Sequence, residues 1–511
     1  MELEDSLKHH FGYDTFRRGQ KEIIHDVLAG NDVLGILPTG SGKSICYQLP
    51  AKLMGGTTIV VSPLISLMVD QVKQLKAMRF KEVVALNSFM NPVERRNVYQ
   101  QLPHYKLIYL SPELLQYKEV LDRLRKLDIN LFVIDEAHCI SQWGHEFRPD
   151  YLKLGDIIEE LDNPPVLALS ATATPQVQQD ILSSLKKTGV HKHIYPMDRD
   201  NIAFCIETVK DDKEKQVYIS QLLKKFRVPA LIYFSSRKTA EETAKSLAGH
   251  LDGREIAFYH GGMEQSDRIS IQQQFMNGQL DVICCTSAFG MGINKANIRL
   301  VIHYHMPGQI ESFIQEVGRA GRDGKSSVSV LLYGENDLFL PKMIAEKELP
   351  STEELNKAAN ILTNLYLSDQ SLPEEEVELE NLFQLTESQW RFLRYQLEKH
   401  GIIKGNQIFY EEDDFSTAFR FIDAHRRERK TLKDEKLTEM LYWVHTKDCL
   451  RKHLYKSFQP SYSEAVYHCC NNCDFSFSDW KPEVNRVEIN NHTSWQDRLK
   501  TLLLAGQNET K

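Results

Sequence analysis

No apolar run in this 511-residue chain is long enough to cross a membrane as a helix. The opening residues Met1-Glu2-Leu3-Glu4-Asp5 lack the basic start and apolar core of a secretory signal. Cysteine is sparse at nine residues, and Cys46, Cys139, Cys205 and the Cys284-Cys285 pair sit singly or inside strand-like runs, a pattern of reduced core thiols in an intracellular protein. A basic excess is also missing. Lys and Arg number 62 against 70 Asp and Glu, leaving a net charge of −8 that argues against a nonspecific nucleic-acid coat but leaves room for a local basic track. What is present is a 42% hydrophobic content, ample for packed cores, in a length that fits three or four domains.

Leu34-Gly35-Ile36-Leu37 reads as a buried strand, and Pro38 cannot continue it. The turn Pro38-Thr39-Gly40-Ser41-Gly42 then delivers Lys43-Ser44 to the start of a helical segment. Gly40 and Gly42 let backbone N–H groups converge on phosphate oxygens, and the helix N-terminus adds positive potential. Lys43 is placed to reach the β/γ-phosphates, and the Ser44 hydroxyl to ligate Mg²⁺. The first glycine of the usual pattern is Leu37 here.

A second apolar run, Leu131-Phe132-Val133-Ile134, ends in Asp135-Glu136-Ala137-His138, two acids at a strand's carboxyl edge where open α/β sheets bind ligands. Asp135 is expected to hold Mg²⁺ and Glu136 to orient or deprotonate the attacking water. Far downstream, Gln315-Glu316-Val317-Gly318-Arg319-Ala320-Gly321-Arg322 offers two guanidiniums to the charge that develops in phosphoryl transfer. Their spacing of three predicts one shared helix face directed into a cleft. A hydrolysis site divided in this way implies two lobes whose relative motion is driven by ATP.

With their neighbours, these segments resemble superfamily 2 helicases and, more narrowly, the RecQ family of DNA helicases. Motifs in the family's order cover about residues 10 to 335. Phe11-Gly12-Tyr13 and Phe16-Arg17-Arg18-Gly19-Gln20 resemble the adenine-recognition segment, which implies Phe11, Arg17, Gln20 and, later in the chain, Gln315 as ATP contacts. Ser62, within Val61-Ser62-Pro63-Leu64, and Tyr109-Leu110-Ser111-Pro112-Glu113 resemble strand-contacting motifs of a first lobe. Ser235, Arg237 and Thr286 stand in the corresponding motifs of a second. Ser170-Ala171-Thr172 looks like the segment coupling hydrolysis to lobe movement. The stretch His138 to Tyr151 resembles the family's aromatic-rich loop. There Trp143 and Phe147 can stack on bases, worth about 1–3 kcal/mol each, and Arg148 can meet a phosphate.

The same resemblance implies zinc ligands at Cys449, Cys470 and Cys473. A structural zinc wants four ligands, and the fourth position of the pattern is Ser476. Cys469, His468 or Asp474 are the candidate replacements, and loss of the metal is the alternative. Between Arg426 and Lys456, ten basic residues outnumber five acids on a helical pattern, which reads as a phosphate-contacting platform. Leu355–Leu367, Val377–Leu385 and Glu387–His400 read as helices, followed by a strand, a Gly405-Asn406 turn and a second strand, a winged-helix-like order. The run Glu374-Glu375-Glu376-Val377-Glu378-Leu379-Glu380 reads as a solvated helix face.

The sequence therefore predicts two RecA-like α/β lobes at 1–200 and 201–340, a helical, winged-helix-like region at 345–415, a zinc-type module at 416–480 and a tail at 481–511. The resemblance implies an ATP- and Mg²⁺-dependent 3′–5′ DNA helicase acting on single-stranded, tailed or forked DNA in repair, recombination and replication. It further implies a cytoplasmic, nucleoid-associated monomer with single-stranded-DNA-binding or repair proteins as partners. Two other readings are an RNA helicase of the same superfamily, distinguished by RNA-stimulated ATP turnover, and an ATP-switched DNA-binding scaffold, distinguished by failure to displace a strand.

Overall fold

The computed structural model describes residues 2–87, 90–141, 148–290, 295–459, 462 and 464–483. Most strands of the two lobes are short apolar runs buried on both faces, as parallel sheets require, while the edge strand His191–Ile194 is polar and largely exposed. The first lobe contains β1 (Val33–Ile36), β2 (Thr57–Val61), β3 (Val83–Leu86), β4 (Leu107–Leu110), β5 (Ile129–Ile134), β6 (Val166–Ser170) and β7 (His191–Ile194). They lie in the order β3-β4-β2-β5-β6-β1-β7, all neighbours parallel. The second lobe contains β8 (Ile202–Thr208), β9 (Ala230–Tyr233), β10 (Ile256–Tyr259), β11 (Val282–Cys285), β12 (Leu300–His303) and β13 (Ser327–Tyr333). Its order is β10-β11-β9-β12-β13-β8, again parallel. The two tandem RecA-like lobes expected from sequence are thus present, joined by residues 195–201. In the second lobe a buried ion pair ties the sheet's surroundings together: Lys215 Nζ donates to both Asp337 oxygens at 2.6 Å and to the Tyr304 carbonyl at 2.7 Å.

After β13 the chain enters helix Phe339–Glu348 and then a region with its own hydrophobic core. Helices Thr352–Leu367, Glu376–Phe383 and Glu387–Lys399 precede the antiparallel hairpin β14 (Ile403–Lys404) and β15 (Gln407–Ile408). Gly405 turns the hairpin at φ +63°, a conformation glycine adopts without strain. Ser351 with Glu354, and Thr386 with Gln389, form reciprocal capping boxes that fix two of the helix starts. Leu355, Leu362, Trp390, Leu393, Ile402 and Phe415 fill the core.

A single 34-residue helix, Glu412–His445, links this region to the motor. Its first turns bury Phe415, Ala418 and Ile422 in the helical core. Its last turns bury Leu437, Met440 and Trp443 against the second lobe, with the Trp443 and Phe313 ring centroids 4.6 Å apart. Within the basic segment, at least five of the ten bases are ion-paired. Arg426 and Arg427 meet Asp423, Lys433 meets Glu348, Lys436 meets Glu311 and Arg451 meets Asp198. These carboxylates come mostly from distant sequence, so much of the basic character is used in packing the helix to the lobes. Among the described residues, no helix is long and apolar enough to cross a membrane.

Candidate active site

The turn from Pro38 to Ser44 joins β1 to helix Ile45–Leu53 at the carboxyl edge of the first sheet. Gly40 and Gly42 have φ of +85° and +75°. A Cβ on Gly42 would lie 2.9 Å from Gln20 Nε2, so the Gln20 amide would have to leave the loop carbonyls, and the positive φ adds backbone strain. Gln20 Nε2 donates to the carbonyls of Ser41 and Gly42 at 2.8 and 3.0 Å, its Oε1 accepts from Arg17 N–H at 2.9 Å, and Arg17 donates to the Gly40 carbonyl. Phe11, Arg17, Gln20, Gly40, Gly42 and Ser44 line one cavity of about 240 Å³. Gln315 is buried on helix Ile310–Val317 and is not among the described residues lining that cavity.

Asp135 and Glu136 follow β5, with Asp135 N–H donating to the Val61 carbonyl at 2.9 Å. Burial, reinforced by the neighbouring Glu136 charge and opposed by Lys43, pushes the Asp135 carboxyl up to about 6. Lys43 Nζ is 3.6 Å from Glu136 Oε1. Glu136 has φ +50°, a strained backbone for a non-glycine residue and of the sort that clusters at functional sites. His138 Nδ1 lies 3.4 Å from Glu136 Oε2 and 2.9 Å from Ser170 Oγ, and Ser170 donates in turn to the Thr172 carbonyl. The acidic pair is therefore wired to the end of β6, where the Ser170–Thr172 segment begins.

The arginines depart from the shared-face expectation. Helix Ile310–Val317 ends before them, and Gly318 and Gly321 (φ +53°) carry residues 318–323 as a turn. Arg319 points inward and donates to the Gly290 carbonyl. Arg322 reaches the 240 Å³ cavity, its Cγ 2.9 Å from the place a Gly40 Cβ would occupy. Burial, with Arg319 and Arg199 close by, pushes Arg322 down to about 9. A desolvated cluster of guanidiniums beside a glycine cradle fits a polyanion such as a nucleoside triphosphate, whose charge would offset theirs. Ser44 and Asp135 are the oxygen donors fitted to hold Mg²⁺ there.

Other expected residues lie along the same edges of the two sheets. Ser62 is buried, its N–H bonded to the Leu110 carbonyl at 3.0 Å, so the neighbouring Pro63 and Leu64 reach the interlobe groove instead. Arg148 donates to the Pro63 carbonyl at 3.0 Å and lines the same groove. Trp143 and Phe147 lie outside the described residues. Ser235 and Thr286 line a second-lobe cavity of about 360 Å³ with Phe234 and His305. Arg237 is exposed at the start of helix Arg237–His250, which Ser236 caps. Ser235 N–H donates to His305 Nδ1 at 3.1 Å, and burial together with Lys215 pushes His305 down to about 4, which keeps it neutral.

The cysteines answer the question that Ser476 left open. The sulfurs of Cys449, Cys469, Cys470 and Cys473 lie within 4.8 Å of one another. Ser476 Oγ is engaged with Ser478 Oγ at 2.9 Å. Cys469 is thus the fourth thiol, not a side chain at position 476. The Cys469 thiol and the Leu450 N–H hold Cys470 down to about 5. Four sulfurs around one point fit a tetrahedral zinc, and because the same contacts that lower Cys470 raise Cys469, while burial and those contacts raise Cys473, binding the metal would release thiol protons.

Sequence reasoning passed over Arg199. It lies in the linker outside every recognised motif, yet its guanidinium bonds carbonyls of the phosphate loop and of the arginine turn. No local signal marks it, because its partners are remote in sequence.

Comparison with known proteins agrees with this geometry. The family model "DEAD/DEAH box helicase" matches residues 17–181, "Helicase conserved C-terminal domain" matches 214–324, and "RecQ zinc-binding" matches 412–476. The chain is 41% identical over 501 residues to a probable ATP-dependent DNA helicase RecS of Bacillus subtilis, covering 97% of both chains. It is 43% identical to the ATP-dependent DNA helicase RecQ of Haemophilus influenzae, with 67% of this chain matched to 55% of that one. Among solved structures, the Mycobacterium smegmatis helicase Lhr bound to ssDNA and AMP-PNP superposes with a TM-score of 0.58 at 19% identity, covering 83% of this chain and 62% of that one. DEAD-box helicase Mss116 superposes at 0.57 and 17% identity, covering 89% of each. These structural likenesses show the fold.

Proposed function

The chain belongs to the RecQ family of superfamily 2 helicases and is an ATP-dependent DNA helicase, and from that premise we propose that it moves 3′ to 5′ along a single strand and opens tailed or forked duplexes during repair and recombination. The observation that carries the mechanism is Arg322 of the second lobe lining one cavity with Gln20, Gly40 and Ser44 of the first. ATP bound there spans both lobes, so binding draws them together and hydrolysis releases them.

Within that cavity, Lys43 neutralises the β/γ-phosphates, and Ser44 and Asp135 hold Mg²⁺, which supplies charge neutralisation at the transferring phosphoryl group. Glu136 orients the attacking water and accepts its proton, and His138 passes the change to Ser170. Arg322 stabilises the equatorial oxygens, while Arg319 steadies the Gly290 segment from beneath. Gln20 and Arg17 shape the loop and read the base edge. The DNA strand crosses the carboxyl edges of both sheets, along Pro63-Leu64 and Arg148, then Ser235, Arg237 and Thr286, with Trp143 and Phe147 stacking on its bases. Cys449, Cys469, Cys470 and Cys473 hold a structural zinc. The reading extends to a monomer in the bacterial cytoplasm that works at the nucleoid with single-stranded-DNA-binding or repair proteins.

Strand displacement on duplexes carrying either a 3′ or a 5′ single-stranded tail tests this. Unwinding of the 3′-tailed substrate with ATP and Mg²⁺ is the expected result. Displacement from the 5′ tail alone would reverse the polarity, and DNA-stimulated ATP turnover without displacement would make the protein a switch.

A further inference from the structure

Arg199 occupies the seven-residue connection between the two sheets, just before β8. Its Nη1 donates to the Thr39 carbonyl at 3.0 Å and to the Gly318 carbonyl at 3.3 Å, and its Nη2 to the Ala320 and Gly321 carbonyls at 3.4 and 2.6 Å. Thr39 is in the phosphate loop, and the other three carbonyls belong to the turn that carries Arg319 and Arg322. A planar fork of five donors can bridge four carbonyls in this way, whereas an ammonium cannot. The close seam between the loops is also visible at Gly318, where a Cβ would lie 2.7 Å from Thr39 Cβ.

The backbone of Arg199 is gripped from the opposite side by the C-terminal module. Arg451, 2% exposed, pairs with Asp198, donates to the Arg199 carbonyl at 2.9 Å and also bonds the Ile202 carbonyl. Gln459 Oε1 accepts from the N–H groups of Met197 and Asp198 at 2.8 and 3.3 Å. The cysteine turn itself is laid along β8. Phe204 N–H donates to the Cys469 carbonyl at 3.1 Å, and Asn471 N–H to the Phe204 carbonyl at 3.0 Å. One side of the connection thus meets the nucleotide cleft and the other Arg451 and Gln459 of the C-terminal module, whose cysteine turn lies along the adjoining β8.

We propose that Arg199 is a positioning residue of the ATP cycle, latching the phosphate loop to the arginine turn in the closed cleft, and that the cysteine module sets turnover by holding the Arg199 backbone. Lobe opening breaks only the bond to Thr39, since the other three acceptors travel with the second lobe. Arg199 touches no reacting atom. Its effect is to fix where Arg322 stands relative to Gly40 when the cleft is shut. The inference rests on residues 38–44 being the phosphate loop, which Lys43→Ala tests separately.

The experiment uses full-length, metal-loaded protein with saturating single-stranded DNA. Arg199→Ala and Arg199→Lys are assayed for kcat and KM, for interlobe distance by a fluorophore pair with a non-hydrolysable ATP analogue, and for thermal midpoint. The expected result is a kcat lower by about tenfold to a hundredfold in both variants, the scale of a misplaced catalytic geometry, with KM for ATP changed far less and the analogue no longer producing full closure. Gln459→Ala, which leaves every cysteine in place, is expected to lower kcat less, and its loss should not add to that of Arg199→Ala. A lowered thermal midpoint with wild-type kcat and closure would make Arg199 a structural staple and overturn the proposal. Fully additive losses would overturn the link to the C-terminal module. If Lys43→Ala keeps its turnover, the phosphate-loop reading fails; if Lys43→Ala is inactive and Arg199→Ala is unaffected, the latch alone fails.

Discussion

Lys43 Nζ stands 3.6 Å from Glu136 Oε1, so the cation proposed to bind phosphate and the carboxylate proposed to orient water are paired at the carboxyl edge of the first sheet. Both side chains are mostly buried, and His138 holds the other Glu136 oxygen at 3.4 Å. On the proposed mechanism, phosphate binding would draw Lys43 away and leave Glu136 with its full charge, ready to accept a proton.

Removing either partner should therefore have separate consequences. Lys43→Ala is expected to abolish ATP turnover while leaving folding and most single-stranded DNA affinity intact. Glu136→Gln should bind ATP and DNA normally and lose about a hundredfold in kcat, the usual worth of a general base. Steady-state turnover together with nucleotide binding by fluorescence checks both. Wild-type turnover in Glu136→Gln would remove that residue from the chemistry.

Acid should loosen the second lobe through His305. Its folded pKa is lowered from 6.5 to about 4. Between those values the unfolded chain takes up a proton that the folded lobe refuses, so stability falls as pH falls through this window and is unaffected above it. At pH 5 the loss amounts to about 2 kcal/mol. His305→Asn keeps an acceptor for the Ser235 N–H but does not titrate. Urea unfolding of both proteins at pH 7.5 and 5 should show a shallower loss in the variant, and parallel losses would contradict the assignment.

The cysteine cluster gives an asymmetric expectation. Cys469→Ser should release zinc and destabilise the C-terminal region, while Ser476→Cys should leave metal content at one per chain, because Ser476 faces Ser478. Elemental analysis of the two purified variants decides it. Undiminished zinc in Cys469→Ser would mean that another group closes the shell.

Trp390 is 2% exposed and stacks on Phe383 with centroids 4.6 Å apart. Trp390→Ala should cost the helical region about 3–5 kcal/mol through the cavity it leaves. The lobes have cores of their own, so ATP turnover should persist while residues 350–410 become protease-sensitive. Equal loss of both would show one cooperative unit.

The chemistry that lies in contiguous residues was legible before any fold was known. The placement of Gly40-Ser41-Gly42-Lys43-Ser44 and Asp135-Glu136 just after buried strands is read from local spacing, and the helix–hairpin order at 352–408 from periodicity and a glycine turn. What escaped depended on contacts across the fold. The spacing of Arg319 and Arg322 suggests one helix face, but Gly318 ends the helix first and sends the two guanidiniums to different partners. Adjacent Cys469 and Cys470 look interchangeable in sequence, and only the path of the turn along β8 puts both sulfurs in one cluster. Lys433 and Lys436 read as free phosphate contacts until Glu348 and Glu311 are brought against them.

The helix Glu412–His445 has a mechanical consequence. At about 1.5 Å per residue its 34 residues make a stiff rod about 50 Å long, bolted to the second lobe at one end and embedded in the helical region at the other. That region also touches the first lobe, where Lys153 Nζ meets Glu398 at 2.9 Å. A swing of about 10° between the lobes would carry the far end of such a rod by about 9 Å, well beyond the reach of a hydrogen bond. On the proposed ATP cycle, each stroke of the cleft would be geared up at the helical region, and its grip on the first lobe would be made and broken with it.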